Sequence, residues 1–115
     1  MTLDPKAMAR LLEITGDDIA FVDELVETFF VDASEQLEGL RLASAIGDTA
    51  AIIRPAHSLK SNGENVGAVV LAALCRSLEA DGRGGDVPDL PGRVIAVEAE
   101  FAAVRTALLA NRAAR

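Results

Sequence analysis

Apolar residues recur at steps of three and four through most of the chain, and period-two alternation of β-branched and aromatic residues is absent. The clearest run is Val94, Val97, Phe101, Val104 and Leu108, which puts all five side chains on one helix face. A second stripe, Val22, Val26, Phe29, Ala33, Leu37 and Leu40, predicts a long helix capped by Asp17 or Asp18 and running to about Ile46. Gly47 suits a left-handed C-cap and Asp48 the next N-cap, so the chain turns back within a residue or two and the third helix packs antiparallel. That third helix carries Ile52, Ala56 and Leu59 inward and should lose order or bend near Gly63. Residues 65–67 form a joint, followed by a fourth helix with Leu71, Leu74 and Leu78, plus Val70 and Cys75, as its buried stripe, ending before Gly82. Residues 81–91 read as a loop, and the Asp4-Pro5 pair opens a short helix through Met8, Leu11 and Leu12 to about Ile14, where Gly16 stops it. The pattern predicts an all-α protein, an antiparallel four-helix bundle with a short N-terminal cap helix, as a single domain over residues 1–115. Arg105, Arg112 and Arg115 suit the C-terminal dipole of the last helix, whose Ala-rich end over residues 107–115 should fray.

Composition narrows the chemistry. The 115 residues are half apolar, enough for one core without metal or disulfide support, and the single cysteine, Cys75, cannot close an intrachain disulfide. No apolar run approaches the length of a membrane span and residues 1–10 lack a signal-peptide pattern, so a cytoplasmic location is expected. A net charge of −7 argues against nucleic acid or an anionic membrane as partner. One histidine and one cysteine, 18 positions apart, do not make a metal site, and no cofactor is expected. Gly82, Gly84 and Gly85 lack the Lys-Ser/Thr ending of a phosphate-binding loop, and the chain is too short to add an ATP-binding lobe to a bundle. The paired carboxylates Asp17/Asp18 and Asp23/Glu24 are adjacent in sequence, so they point about 100° apart on a helix and read as caps or a solvated face.

His57 is the remaining candidate. With Ile52, Ala56, Leu59 and Gly63 inward, it lies about 100° round from Ala56, at the rim of the buried stripe and largely exposed. Lys60 and Ser61, three and four residues on, set a cation and a small side chain beside the imidazole. A neutral imidazole is a nucleophile, and a phosphoryl group on it would carry close to two negative charges that the lysine could support. Residues 1–50 hold 11 acidic and 3 basic side chains against 7 and 8 in residues 51–115, so the histidine half would attract a carboxylate-rich partner pocket. By spacing alone, a lone exposed histidine is also an ordinary surface residue, and Gly63 and Gly67 an ordinary helix end and joint.

The run Ala56-His57-Ser58-Leu59-Lys60, followed by Asn65-Val66-Gly67-Ala68, resembles the AHxLKGxxxNLGA signature of histidine-containing phosphotransfer domains. The likeness extends to Leu3-Asp4-Pro5, to residues 24–30, to the Gly47-Asp48 turn and to residues 74–79. It implies a helical bundle that accepts a phosphoryl group from a receiver-domain aspartate or a kinase and passes it to another response regulator. His57 then resembles the phosphorylated nucleophile, Lys60 the supporting cation, and Gly67 the glycine that lets the following helix pack closely. Ser61, Glu64, Phe30 and Gly67 complete the expected binding set, with Phe30 either an apolar contact for the partner or part of the core. The expected partners are receiver domains and a sensor histidine kinase, which supply the metal ion and acidic pocket, and a monomer is the expected state. Two departures stand out: Ser61 replaces the usual glycine after the lysine, and Pro55 lies two residues before His57, where a mid-helix position would kink the chain and turn His57 outward. The alternatives are an unphosphorylated adaptor or dimerisation module, or the phosphodonor domain of a larger hybrid or chemotaxis-type kinase. A start at Met1 directly before the cap helix favours a stand-alone chain over the last of these.

Overall fold

The computed structural model describes residues 1–114. Five helices follow in order: α1 Ala7–Ile14, α2 Ile19–Ile46, α3 Ile53–Asn65, α4 Val69–Gly84 and α5 Leu90–Ala113. Helices α2 to α5 form an antiparallel four-helix bundle in which α2 packs on α3 and α5, and α4 on α3 and α5, while α1 caps one end. The bundle is 43 Å long, the length of the 28-residue α2. Both long stripes read from the sequence are buried: Val22, Val26, Phe29, Ala33, Leu37 and Leu40 from α2 meet Val94, Val97, Phe101, Val104 and Leu108 from α5. The Phe29 and Phe101 rings tilt together at 5.9 Å between centroids. No helix among the described residues is long and apolar enough to cross a membrane.

The caps follow the sequence closely in α2. Asp18 accepts a hydrogen bond from the Phe21 amide at 3.0 Å, and Gly47 closes the helix at φ +69° with the Asp48 amide donating to the Ala43 carbonyl. Asp48 then caps a turn through the Ala51 amide at 3.0 Å, and α3 proper begins only at Ile53. This late start overturns the expected kink: Pro55 is the third residue of α3, where the missing N–H is one of those a helix start leaves unbonded anyway. Its ring is buried against Gly39 of α2, where a Cβ would already touch it at 3.4 Å.

Three other boundaries differ from the sequence reading. α3 runs unbroken through Gly63 to Asn65, because Gly63 is the contact point with α4: a Cβ there would stand 3.6 Å from the Ala68 carbonyl and 3.7 Å from the Ala72 amide. α4 continues past Gly82 to Gly84 and α5 begins at Leu90, so the loop shrinks to residues 85–89. A Cβ on Gly82 would meet Ile53 at 3.0 Å and Ile52 at 3.1 Å, which is why this helical position is glycine. Val70 is exposed and Leu74 only half-buried; Leu71, Cys75 and Leu78 make the buried stripe instead. The last helix stays helical to Ala113, within the stretch expected to fray, and Arg115 lies outside the described residues.

Candidate functional site

The two glycine contacts hold α3 and α4 close together, and that spacing builds the site. His57 lies on the second turn of α3 with 53% of its side chain exposed, and Glu79 of α4 reaches it across the gap, its carboxylate Oε2 2.9 Å from the imidazole Nδ1. Lys60, one turn along α3, donates from Nζ to the other oxygen, Oε1, at 2.7 Å. Arg83, one turn along α4, donates from Nη2 to Oε2 at 2.8 Å. Glu79 is thus the hub of a cluster in which a buried carboxylate carries two cations and one imidazole.

Its electrostatics fix the histidine. Hydrogen bonds from Lys60 and then Arg83 pull the Glu79 carboxyl down to about 2 against the opposing effect of burial, with His57 adding to the lowering. A carboxylate that stays ionised at neutral pH can only accept, so Nδ1 must donate. In the neutral ring this puts the proton on Nδ1 and leaves the lone pair on Nε2, which carries no hydrogen bond among the described residues. The arrangement can present one nucleophilic nitrogen beside two cations.

The structure distributes the residues singled out in the sequence unevenly. His57 and Lys60 meet at Glu79, although Lys60 points to that carboxylate and not directly at the ring. Ser61 is half-buried one turn along from His57. Glu64, two turns along and exposed, pairs with Arg76 of α4 at 2.9 Å. Phe30 is a core residue and not a surface contact: it is buried against Phe29, with the Arg105 guanidinium 5.3 Å from its ring centre. Gly67, at φ +76°, lies beyond the end of α3 and faces Ala7 of α1; the glycine that admits the following helix is Gly63. A groove of about 740 Å³ runs between α1, α2 and the end of α3, lined in part by Leu11, Leu25, Phe29, Asp32 and Asn62, and includes neither His57 nor Glu79.

Glu79 had no role in the sequence reading, although residues 74–79 were part of the family likeness. A signal was present: Leu71, Cys75 and Glu79 follow at steps of four, so a carboxylate occupies a place on the buried stripe of α4. Such a placement requires partners, and only the α3–α4 spacing shows which they are. Cys75, by contrast, is buried and its thiol is pushed up to about 12 by desolvation.

Comparison with known proteins agrees with this geometry. The Hpt domain family matches over residues 24–107, and the chain belongs to that family. Hpt domains are phosphotransfer modules, not kinases, and work with receiver domains and kinases, which gives this chain a histidine phosphotransfer role in two-component signalling. Among solved structures it is similar to histidine-containing phosphotransfer protein B (HptB) from Pseudomonas aeruginosa PAO1, at 35% identity and a TM-score of 0.88, covering 99% of this chain and 96% of that one. No curated protein matches the sequence.

Proposed function

We propose that His57 is the residue that carries the phosphoryl group, and that the protein is a phosphorelay intermediate between receiver domains, loaded by a receiver aspartate or a kinase. The observation that supports it is the ionised Glu79 bonded to Nδ1, which leaves Nε2 of an exposed ring as the nucleophile. Nε2 attacks the phosphorus of a receiver acyl phosphate in line; the P–O bond breaks and its electron pair returns to the aspartate carboxylate. The proton already on Nδ1 stays there. Lys60 and Arg83, held by Glu79, lie beside the ring to offset the added charge, screened by the solvent that reaches Arg83. The receiver brings the metal ion and the acidic pocket, and this chain contributes a positioned nucleophile on a rigid helix pair. Ser61, small and one turn from His57, leaves room for the partner's approach.

The test is intact-mass measurement at neutral pH after mixing the protein with a panel of phosphorylated receiver domains, with His57→Gln as control. The expected result is a gain of one phosphoryl group that is lost in acid and absent from the variant. No gain with donors that load other Hpt domains would reject the carrier role and favour an unphosphorylated adaptor.

A further inference from the structure

We infer that Glu79 acts as a positioning residue in the phosphorylated state, keeping the Nδ1 proton on phosphorylated His57 so that the ring leaves as neutral imidazole when the phosphoryl group departs. The inference rests on the carrier reading above. It starts from the 2.9 Å contact between Glu79 Oε2 and Nδ1, the nitrogen that does not take phosphorus, so the contact can persist after loading.

The bookkeeping of electrons makes the consequence specific. When Nε2 of an Nδ1–H imidazole bonds to phosphorus, the ring becomes a cation. When an acceptor oxygen, from an aspartate or from water, attacks that phosphorus, the P–N bond breaks and its electron pair returns to Nε2. If Nδ1 has kept its proton, the leaving group is neutral imidazole. If Nδ1 has lost it to solvent, the leaving group is imidazolate, a far stronger base and a poor leaving group. A buried, ionised carboxylate accepting from Nδ1 favours the protonated ring, so transfer and hydrolysis stay fast at pH values where an unassisted phosphohistidine would have slowed. Transfer to an acceptor aspartate and loss to water then depend on the same proton.

On α3 itself Arg54, one turn before His57, is exposed, and Lys60 is bonded to Glu79; from α4 come Glu79 and Arg83; from α2, Asp32 is bonded to Asn62 of α3. Asn62 is five residues past His57 and about 140° round the helix, on the opposite flank from Glu79. Lys60 and Arg83 are bonded to Glu79 and not to the ring. Glu79 is the one group of the cluster whose charge faces Nδ1 and favours its proton.

The experiment loads the full-length protein with phosphoramidate and follows loss of the phosphoryl group by intact mass from pH 6 to 9, for the natural chain and for Glu79→Gln. The glutamine carbonyl can still accept from Nδ1 but carries no charge. The natural protein is expected to hold its rate to higher pH, so that at pH 8 it loses the group about tenfold faster than Glu79→Gln, relative to their rates at pH 6. Profiles of the same shape, offset or not, overturn the inference while leaving the carrier role intact. Failure of His57 in the natural chain to take up phosphoryl rejects both. Should the variant fold poorly, nitrogen-15 spectra of the loaded natural protein decide: Nδ1 must keep its proton at least one pH unit above free phosphohistidine, and titration together with the free compound overturns the inference.

Discussion

Gly67→Ala is the sharpest test of how the cap helix is seated. Gly67 has φ +76°, and a Cβ there would stand 2.2 Å from the Ala7 Cβ, where ordinary contact begins near 3.4 Å. Both atoms are fixed directly to backbone, so no rotamer change relieves the overlap. The left-handed conformation costs an alanine about 1 kcal/mol relative to glycine. Relieving the clash means moving α1 by more than an ångström, which stretches the 2.7 Å bond from the Asp4 amide to the Gly67 carbonyl and uncovers Ala7, now 2% exposed. Those losses add about 2 kcal/mol, one from the hydrogen bond and one from the burial. The sum, about 3 kcal/mol, lowers the melting temperature of a chain this long by about 12 °C, since an unfolding entropy of about 2.1 cal/mol/K per residue makes each kcal/mol worth about 4 °C. Calorimetry of four proteins measures it: natural, Gly67→Ala, Ala7→Gly and the double variant. Removing the Ala7 methyl should recover the clash part, giving a favourable coupling of about 1 kcal/mol or more. A Gly67→Ala melting point within 2 °C of the natural protein would refute the argument; Gly84→Ala, with no atom within 4 Å of the new Cβ, is the control that should not destabilise.

Other expectations follow from the same structure. Because partners hold the Glu79 carboxyl at about 2 and its ordinary value is 4.5, the stability it contributes is present in full above about pH 4.5 and is lost as the pH falls toward 2. Urea denaturation should therefore show Glu79→Gln less stable by about 1–2 kcal/mol at pH 7, a gap that closes near pH 2, with solvent screening of Arg83 limiting its size; a gap that persists in acid would contradict the ionic origin. Cys75, buried and with its thiol held near 12, should resist iodoacetamide in the native protein and react only as fast as the bundle opens; fast stoichiometric labelling would show an open core. Pro55→Ala should change stability by less than about 1 kcal/mol, as suits a first-turn position, whereas a gain near 3 kcal/mol in the melt would mean the proline interrupts the helix after all.

The parts of the fold that were legible in the sequence are those decided by local periodicity and capping. The α2 and α5 stripes, the Asp18 cap and the Gly47 stop all follow from rules that act within a few residues. The glycines were misread because a glycine within a helix has two meanings. Gly63 and Gly82 look like breaks along the chain, yet both lie where α3 and α4 touch, and the space they leave is occupied by residues from the other helix. Pro55 was misread for a related reason: its meaning depends on where α3 begins, and the turn over residues 49–52 delays that start. Of the candidate site, His57 and Lys60 were legible from helical spacing and from the family likeness. Glu79 was not, because its partners are 19 and 22 residues away and meet it only through the close packing of two helices.

That close packing bears on why a carboxylate is present on a buried stripe. A buried ion cluster is weak evidence for stability, since replacing it with well-packed apolar groups is often neutral. Here the partners make the replacement especially mild: the side chains of His57 and Arg83 are more than half exposed, so both regain water when the carboxylate is removed, and Lys60 at 21% can extend outward. Glu79→Met should thus lie within about 1 kcal/mol of the natural protein, a shift of about 4 °C or less. Its effect on the imidazole should be large by comparison. With no acceptor at Nδ1, the tautomer is no longer set by the protein, and nitrogen-15 spectra should show the His57 proton redistributed from Nδ1 toward Nε2, with slower uptake of phosphoryl from phosphoramidate. A methionine variant that melts more than 10 °C lower would make Glu79 a structural residue first. One that keeps both the stability and the Nδ1 proton would separate the ring's tautomer from the carboxylate and remove the basis for assigning Glu79 to the chemistry of His57.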